Sequence, residues 1–184
     1  IDTGGILQLN KDKYDYNITN NRTIPYLKSK GIKKIDNLIL THGDADHMGG
    51  AINIVENIKV NKVIFNCGSY NNLEKNLIKT LEKKKIKYDS CIESLEMGSH
   101  KLKFLNTKKY NNENDNSSVI YLKYNNMKFL FMGDAGVDKE KDILEKYNMS
   151  NIDVLKVGHH GSKTSSSKKF INVINPKYSI ISVG

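Results

Sequence analysis

No apolar run in this chain approaches the roughly 18 to 20 residues that a bilayer span requires, and no charged-then-apolar leader is read at its start. A membrane span within these 184 residues is therefore not expected. Arginine is almost missing: Arg22 stands alone among 29 basic residues. A set of bidentate guanine contacts is thereby excluded, and no recognition-helix motif for reading base edges is found. The two cysteines, Cys67 and Cys91, lack C-x-x-C spacing, which argues against a zinc knuckle or a redox pair. Cys67 follows Val63-Ile64-Phe65 and reads as a small hydrophobe at a strand end, with a disulfide to Cys91 left open. No internal repeat or domain boundary is read, so residues 1–184 are expected to form a single domain, cut from a longer polypeptide at both ends.

What is present is ordinary for a globular protein, 38% hydrophobic and 27% charged, with a net charge of +9. A basic surface favours a polyanionic partner. Heavy use of Lys, Asn and Ile also fits an A/T-biased gene, so charge alone supports a phosphate or nucleic-acid substrate only mildly. Strand-like and helix-like segments alternate. Strands are expected at Asn37 to Thr41, Lys62 to Asn66, Lys101 to Asn106, Val119 to Tyr124, Lys128 to Met132, Ile152 to Val157 and Tyr178 to Val183, with Asp2-Thr3-Gly4-Gly5 closing an earlier one. Helices are expected at Thr23 to Lys30, Met48 to Asn57, Leu73 to Lys84, Lys139 to Tyr147 and Lys168 to Val173. Asn125-Asn126 signals a hairpin, because asparagine tolerates positive φ. The polar stretch from Lys108 to Asn116 reads as a loop. The pattern is α/β, with mixed sheets covered by helices.

The densest chemistry is Thr41-His42-Gly43-Asp44-Ala45-Asp46-His47-Met48-Gly49-Gly50, four ligand-type side chains in six residues behind the apolar Leu38-Ile39-Leu40. Imidazole and carboxylate are the donors that divalent metals take in hydrolytic sites, and an H-x-D-x-D-H string is far more specific than an acidic turn. Two later apolar segments end in the same residue types. Phe129-Leu130-Phe131-Met132-Gly133-Asp134 places a carboxylate past a strand, and Val157-Gly158-His159-His160-Gly161-Ser162 places two imidazoles. Taken alone, Asp134 is as readily a helix N-cap, and the histidine pair a polar turn. Three strand-end loops carrying Asp and His in one short chain point instead to a metal site. His100, after Gly98-Ser99, reads as structural or exposed.

These residues resemble the metallo-β-lactamase superfamily, whose string is H-x-H-x-D-H followed by a strand-end Asp and a later His. More narrowly, T-H-G-D-A-D-H-M-G-G, F-M-G-D-A and D-V-L-K-V-G-H-H-G-S-K-T-S-S-S resemble the hydrolase domain of ComEC-type competence proteins, which sits beside a DNA-uptake channel. The resemblance implies a four-layer αββα sandwich, truncated at both ends, holding two divalent ions, zinc or manganese. It implies that Asp46 and His47 hold one metal with His160, that His42 and Asp44 hold the other, and that Asp134 bridges; which of His159 and His160 is the ligand stays open. The implied activity is a phosphodiesterase, a nuclease acting on DNA, single-stranded above all, during uptake. The location it implies is the extracytoplasmic face of a bacterial plasma membrane. Asp46 and Asp134 would be catalytic through the metals, and His159 would protonate the leaving group or donate to a phosphate oxygen. Ser162, Lys163, Thr164 and Asn116 are candidate substrate contacts, although a solvated Ser-rich loop explains the first three equally well. A phosphorylcholine-esterase-like hydrolase and a noncatalytic nucleic-acid-binding module are the rival readings.

Two positions depart from the superfamily pattern. Asp44 stands where a second histidine is usual, and Asn114-Asp115-Asn116-Ser117-Ser118 stands where a third is expected. Harder oxygen donors there shift preference toward manganese or magnesium. A D-x-G-Q-G-D-like string is expected ahead of Ile1, and a tyrosine-glycine-histidine motif beyond Gly184.

Overall fold

The computed structural model describes residues 1–5 and 18–182, which group into two compact units. The first unit contains Ile1–Phe65 and Ser69–Ser90, and the second contains Asn66–Gly68 and Cys91–Gly184. The expected end of the last strand, at Val183, lies outside the described residues.

In the first unit, a π-helical turn at Thr19–Thr23 runs into α1 (Ile24–Ser29), which has Pro25 in its first turn as expected. Three parallel strands follow, β1 (Lys34–Ile39), β2 (Lys59–Phe65) and β3 (Lys87–Ser90), in the order β1-β2-β3. The expected helix over 48 to 57 is two helices, α2 (Ala45–Met48) and α3 (Ala51–Asn57), parted by Gly49 and Gly50. A Cβ on Gly50 would overlap the Thr19 hydroxyl, so the chain approaches more closely there than any other residue allows. α4 (Asn72–Lys84) is fixed at its start by a reciprocal capping box. The Glu74 amide donates to Asn71 Oδ1 at 3.0 Å, and the Asn71 amide donates to Glu74 Oε2 at 2.7 Å. Leu77 and Leu81 of α4 pack with Ile54 and Val55 of α3 against Leu38, Val63 and Phe65, all buried.

The second unit holds a six-stranded sheet in sequence order: β4 (Ser94–Met97), β5 (His100–Phe104), β6 (Ile120–Tyr124), β7 (Met127–Phe131), β8 (Val154–Lys156) and β9 (Tyr178–Ile180). β4 to β7 form an antiparallel meander, and β7-β8-β9 pair in parallel through α5 (Val137–Lys146) and α6 (Lys168–Ile174). Asn125 and Asn126 have φ of 46° and 65°, the mirror-image turn expected of the hairpin. Ile143 from α5, and Phe170 and Ile174 from α6, bury against Leu130 and Leu155.

Two strands were not foreseen, β3 and β4, and the expected strand closing at Gly5 is absent from residues 1–5. β3 and β4 bury none of their residues fully, so no apolar alternation marks them; their partners on β2 and β5 make them strands. Cys67, read as a small hydrophobe, is instead bonded to Cys91. Register explains the encounter: Phe65 of β2 pairs with Ser90 of β3, and the chain leaves both strands at the same end. Closing this loop stabilises the fold by about 3 kcal/mol in the chain-entropy treatment. Cys67→Ser is accordingly expected to lower the unfolding free energy by about that much, read as an earlier urea midpoint, whereas an unchanged midpoint would show that the bond closes no loop of consequence.

Candidate metal centre

In the first unit, Leu40 and Thr41 carry β1 into the ligand loop, and both are buried. His42 is also buried, with Nε2 3.5 Å from Asp44 Oδ2. Asp44 precedes α2 in extended backbone, and its side chain makes no capping bond. Asp46 and His47 lie on α2, Asp46 exposed and His47 buried, with the rings of His42 and His47 tilted 4.2 Å apart. Gly43 lets the loop close against α4: its carbonyl accepts from Asn71 Nδ2 at 2.7 Å, and a Cβ there would overlap that amide. The same asparagine thus caps α4 and braces the ligand loop.

Asp2, not singled out from the sequence, organises this cluster. One carboxylate oxygen accepts the Thr41 amide at 2.7 Å, and the other accepts the Thr41 hydroxyl and His47 Nδ1, each at 2.9 Å. A carboxylate only accepts, so Nδ1 carries a proton, and in the neutral imidazole the lone pair is on Nε2. The Thr3 amide adds a bond to the His47 carbonyl at 2.8 Å. An aspartate 45 residues from its histidine has no local spacing to reveal it.

In the second unit, Asp134 follows β7 and is buried. Gly136, not Asp134, is the N-cap of α5, which removes the capping alternative. The Asp134 amide donates to Ser117 Oγ at 3.0 Å, and Oδ2 lies 3.6 Å from His160 Nε2. His159 and His160 have φ of 45° and 52° on a single 3-10 turn. Two consecutive left-handed non-glycine residues cost of order 1 to 3 kcal/mol each, strain of the kind kept at functional sites. The turn aims the rings differently. His160 Nδ1 donates to the Ser182 carbonyl at 2.8 Å, which turns its Nε2 toward Asp134. His159 Nδ1 lies 2.8 Å from Thr164 Oγ1, which in turn lies 3.1 Å from Ser162 Oγ, and its Nε2 lies 3.4 Å from Asn114 Nδ2. Lys163, next to these hydroxyls, is exposed.

The Asn114-Asp115-Asn116 stretch divides its work. Asn116 is buried and its amide is committed to the loop's own backbone, accepting from the Tyr110 amide and donating to the Tyr110 and Asn112 carbonyls. Asn114, not Asn116, reaches the histidine turn. Asp115 accepts the Gly136 amide at 2.8 Å and Asn112 Nδ2 at 2.7 Å, tying the loop to the start of α5. Behind it Lys139 is buried, its Nζ 5.2 Å from the centre of the Tyr110 ring. Burial above all pushes its pKa down to about 8, against the opposing pull of Asp115 and Asp142, with Lys146 reinforcing the drop. His100, read as structural or exposed, packs on Tyr124 with 4.5 Å between ring centroids.

Two outcomes follow from these contacts. Asp2→Ala removes the acceptor that orients His47 and is expected to weaken metal binding by about 10- to 100-fold, read by calorimetric titration with manganese or zinc; unchanged affinity would dismiss the orienting role. Lys139 is charged when unfolded up to its ordinary pKa of 10.5 but only to about 8 when folded. Between these values the unfolded state holds the extra proton, so stability rises with pH across the window. Lys139→Met is expected to flatten that rise, in urea melts compared at pH 8 and 10, and to stabilise the protein at neutral pH by on the order of 2 kcal/mol.

The metallo-beta-lactamase superfamily model matches residues 1–70 and 101–184 of the chain. Among curated relatives, the "ComE operon protein 3" of Bacillus subtilis is 32% identical over the whole chain, which spans 25% of that protein. The "Competence protein ComA" of Neisseria gonorrhoeae is 30% identical over 88% of the chain and 22% of its own length. The chain thus spans about a quarter of the curated relatives it matches. Among solved structures, the metallo-beta-lactamase fold protein YhfI from Bacillus subtilis superposes with a TM-score of 0.53 at 10% identity, covering 91% of this chain and 73% of that one.

Proposed function

The chain belongs to the metallo-β-lactamase superfamily, and from that premise we propose that it is a metal-dependent phosphodiesterase that cuts DNA, preferentially single-stranded, during competence-related uptake. The observation that carries the reading is the state of two imidazoles. His47 and His160 each have Nδ1 committed to an internal acceptor, a carboxylate in one unit and a carbonyl in the other, and each presents Nε2 as a donor. The donors fit divalent cations, nitrogen and carboxylate oxygen throughout. We assign His42, Asp44, Asp46, His47, Asp134 and His160 as the ligands of two such ions, zinc or manganese. The oxygen donor at Asp44 favours the harder manganese at its position. Bound there, the cations would supply water of lowered pKa and neutralise charge on phosphoryl oxygens.

The protein's own groups complete the reaction. To His159, whose Nδ1 lies 2.8 Å from Thr164 Oγ1 and whose Nε2 lies 3.4 Å from Asn114 Nδ2, we assign the role of giving a proton, as the imidazolium, to a departing alkoxide. Ser162, Lys163 and Thr164 offer hydroxyl and ammonium donors to phosphate oxygens. Lysine binds as a point charge without base preference, in keeping with a substrate recognised by its backbone. Asn116 is not among the proposed contacts, because its amide is committed to the loop.

Competence as the setting is supported by the similarity to the Neisseria competence protein, and DNA as the substrate by that setting together with the +9 charge. The cystine supports placement outside the cytoplasm, since such bonds persist in oxidising compartments. No helix among the described residues is long and apolar enough to cross a membrane.

Degradation of labelled single-stranded DNA with manganese tests the proposal. Asp134→Ala is expected to abolish cutting while circular dichroism and melting stay near those of the parent, since no core side chain is deleted. Near-normal cutting by a folded Asp134→Ala protein would sink the two-metal assignment. Turnover of phosphorylcholine esters with no action on DNA would favour the small-ester hydrolase, and binding without turnover of either would favour the noncatalytic module.

A further inference from the structure

A second feature of the first unit lies far from the ligand loop. A cleft of about 610 Å³ opens where β2 and β3 begin and α4 ends, rimmed by Lys59, Lys84, Lys85 and Lys87 over the apolar Val60 and Ile86. No carboxylate lines it, and among the described residues none pairs with any of these four lysines. The arrangement is internally unfavourable. Lys59 stands in register with Lys34 of β1, and Lys87 with Lys62 of β2, like charges side by side across the sheet. Lys34 and Lys62 are offset by Asp36 and Asp89, but Lys59 and Lys87 have no such partner among the described residues. The negative end of α4 accounts for Lys84 and Lys85. It does not account for the two strand-borne lysines, because sheets carry only small net dipoles.

We propose that this cleft is a second binding site for the phosphodiester backbone of single-stranded nucleic acid, separate from the metal centre. Four lysines lining one cleft without counter-charge suit a polyanion, and their point charges impose no sequence preference. The apolar floor gives sugars and bases a surface to rest on, as single-strand sites do. A concave site accepts a threaded chain and fits poorly onto the flat plane of a bilayer. β2 separates the cleft from the ligand loop by its full length, about 20 Å at 3.3 Å per residue. The cleft therefore serves retention of the strand and not its hydrolysis. This reading rests on DNA as the substrate of the metal centre.

The experiment measures binding without catalysis. Fluorescence anisotropy of a labelled oligothymidylate, in EDTA and across a salt series, compares the whole chain with a variant carrying Lys59→Gln, Lys84→Gln, Lys85→Asn and Lys87→Gln. The expected result is at least tenfold weaker binding and a salt slope shallower by about 3, roughly 0.7 for each phosphate that a lysine no longer neutralises. Hydrolysis of bis(p-nitrophenyl) phosphate with manganese should be unchanged, since no variant position touches the ligand loop. A second variant, Lys59→Glu with Lys87→Glu, provides the same readout from the two strand positions alone, with thermal melting confirming the fold of both. Unchanged oligothymidylate binding by the folded variants overturns the proposal. So does loss of binding to phosphatidylglycerol vesicles with oligonucleotide binding intact, which would make the cleft a membrane contact. If no phosphodiester is hydrolysed under any condition yet the variants lose oligonucleotide binding, the nuclease reading fails and the cleft stands.

Discussion

The Asp2 carboxylate is the fixed point of the first unit's chemistry. It accepts three hydrogen bonds, from the amide and hydroxyl of Thr41 and from His47, and so links the start of the chain, the end of β1 and the short helix α2 in one charged junction. Removing it would leave a buried amide and a buried imidazole without their acceptor, a desolvation penalty of about 1 to 3 kcal/mol for each. By holding the proton on Nδ1 it decides which nitrogen of His47 faces outward. The second unit solves the same problem with a backbone carbonyl, that of Ser182, at His160.

Support for the second unit's proposed ligands is more dispersed. Asp134 is held through its amide by Ser117, the start of α5 is held by Asp115, and the loop that carries both is held by the amide of Asn116. Short polar side chains thus replace regular pairing where the backbone turns away from the sheet. The buried Lys139 sits behind this lattice at a cost in stability, offset in part by Asp115, Asp142 and the face of Tyr110. A stretch that departs from its family's usual histidine has become structural in two of its three residues, and only Asn114 turns toward the histidine pair.

Lysine dominates the electrostatics of this protein, and its consequences depend on place. At the end of α4 lysines complement the helix, and beside Asp36 and Asp89 they are neutralised locally. At the starts of β2 and β3 neither explanation applies. Net charge alone gives no reason to distinguish these positions, because +9 is a sum and binding depends on where the unneutralised part converges.

Much of the molecule was legible in the residues themselves. Helix α4, with Asn71 and Glu74 at its start, the hairpin at Asn125-Asn126, and the strand-then-ligand order at His42, Asp134 and His160 all follow from local rules, since caps, turns and periodicity act over a few residues. The two exposed strands β3 and β4 did not show themselves, because their conformation comes from neighbours and not from burial. Three matters were decided only by tertiary structure. The cystine closes because parallel register brings residues 24 apart to one end of the sheet. The distinct hydrogen-bond partners of His159 and His160 depend on two left-handed φ values that no residue preference announces. The role of Asp2 depends on a contact across 45 residues. Local sequence determines which donors the protein owns; the direction in which each donor points is set by long-range hydrogen bonds, which exist only once the chain has folded.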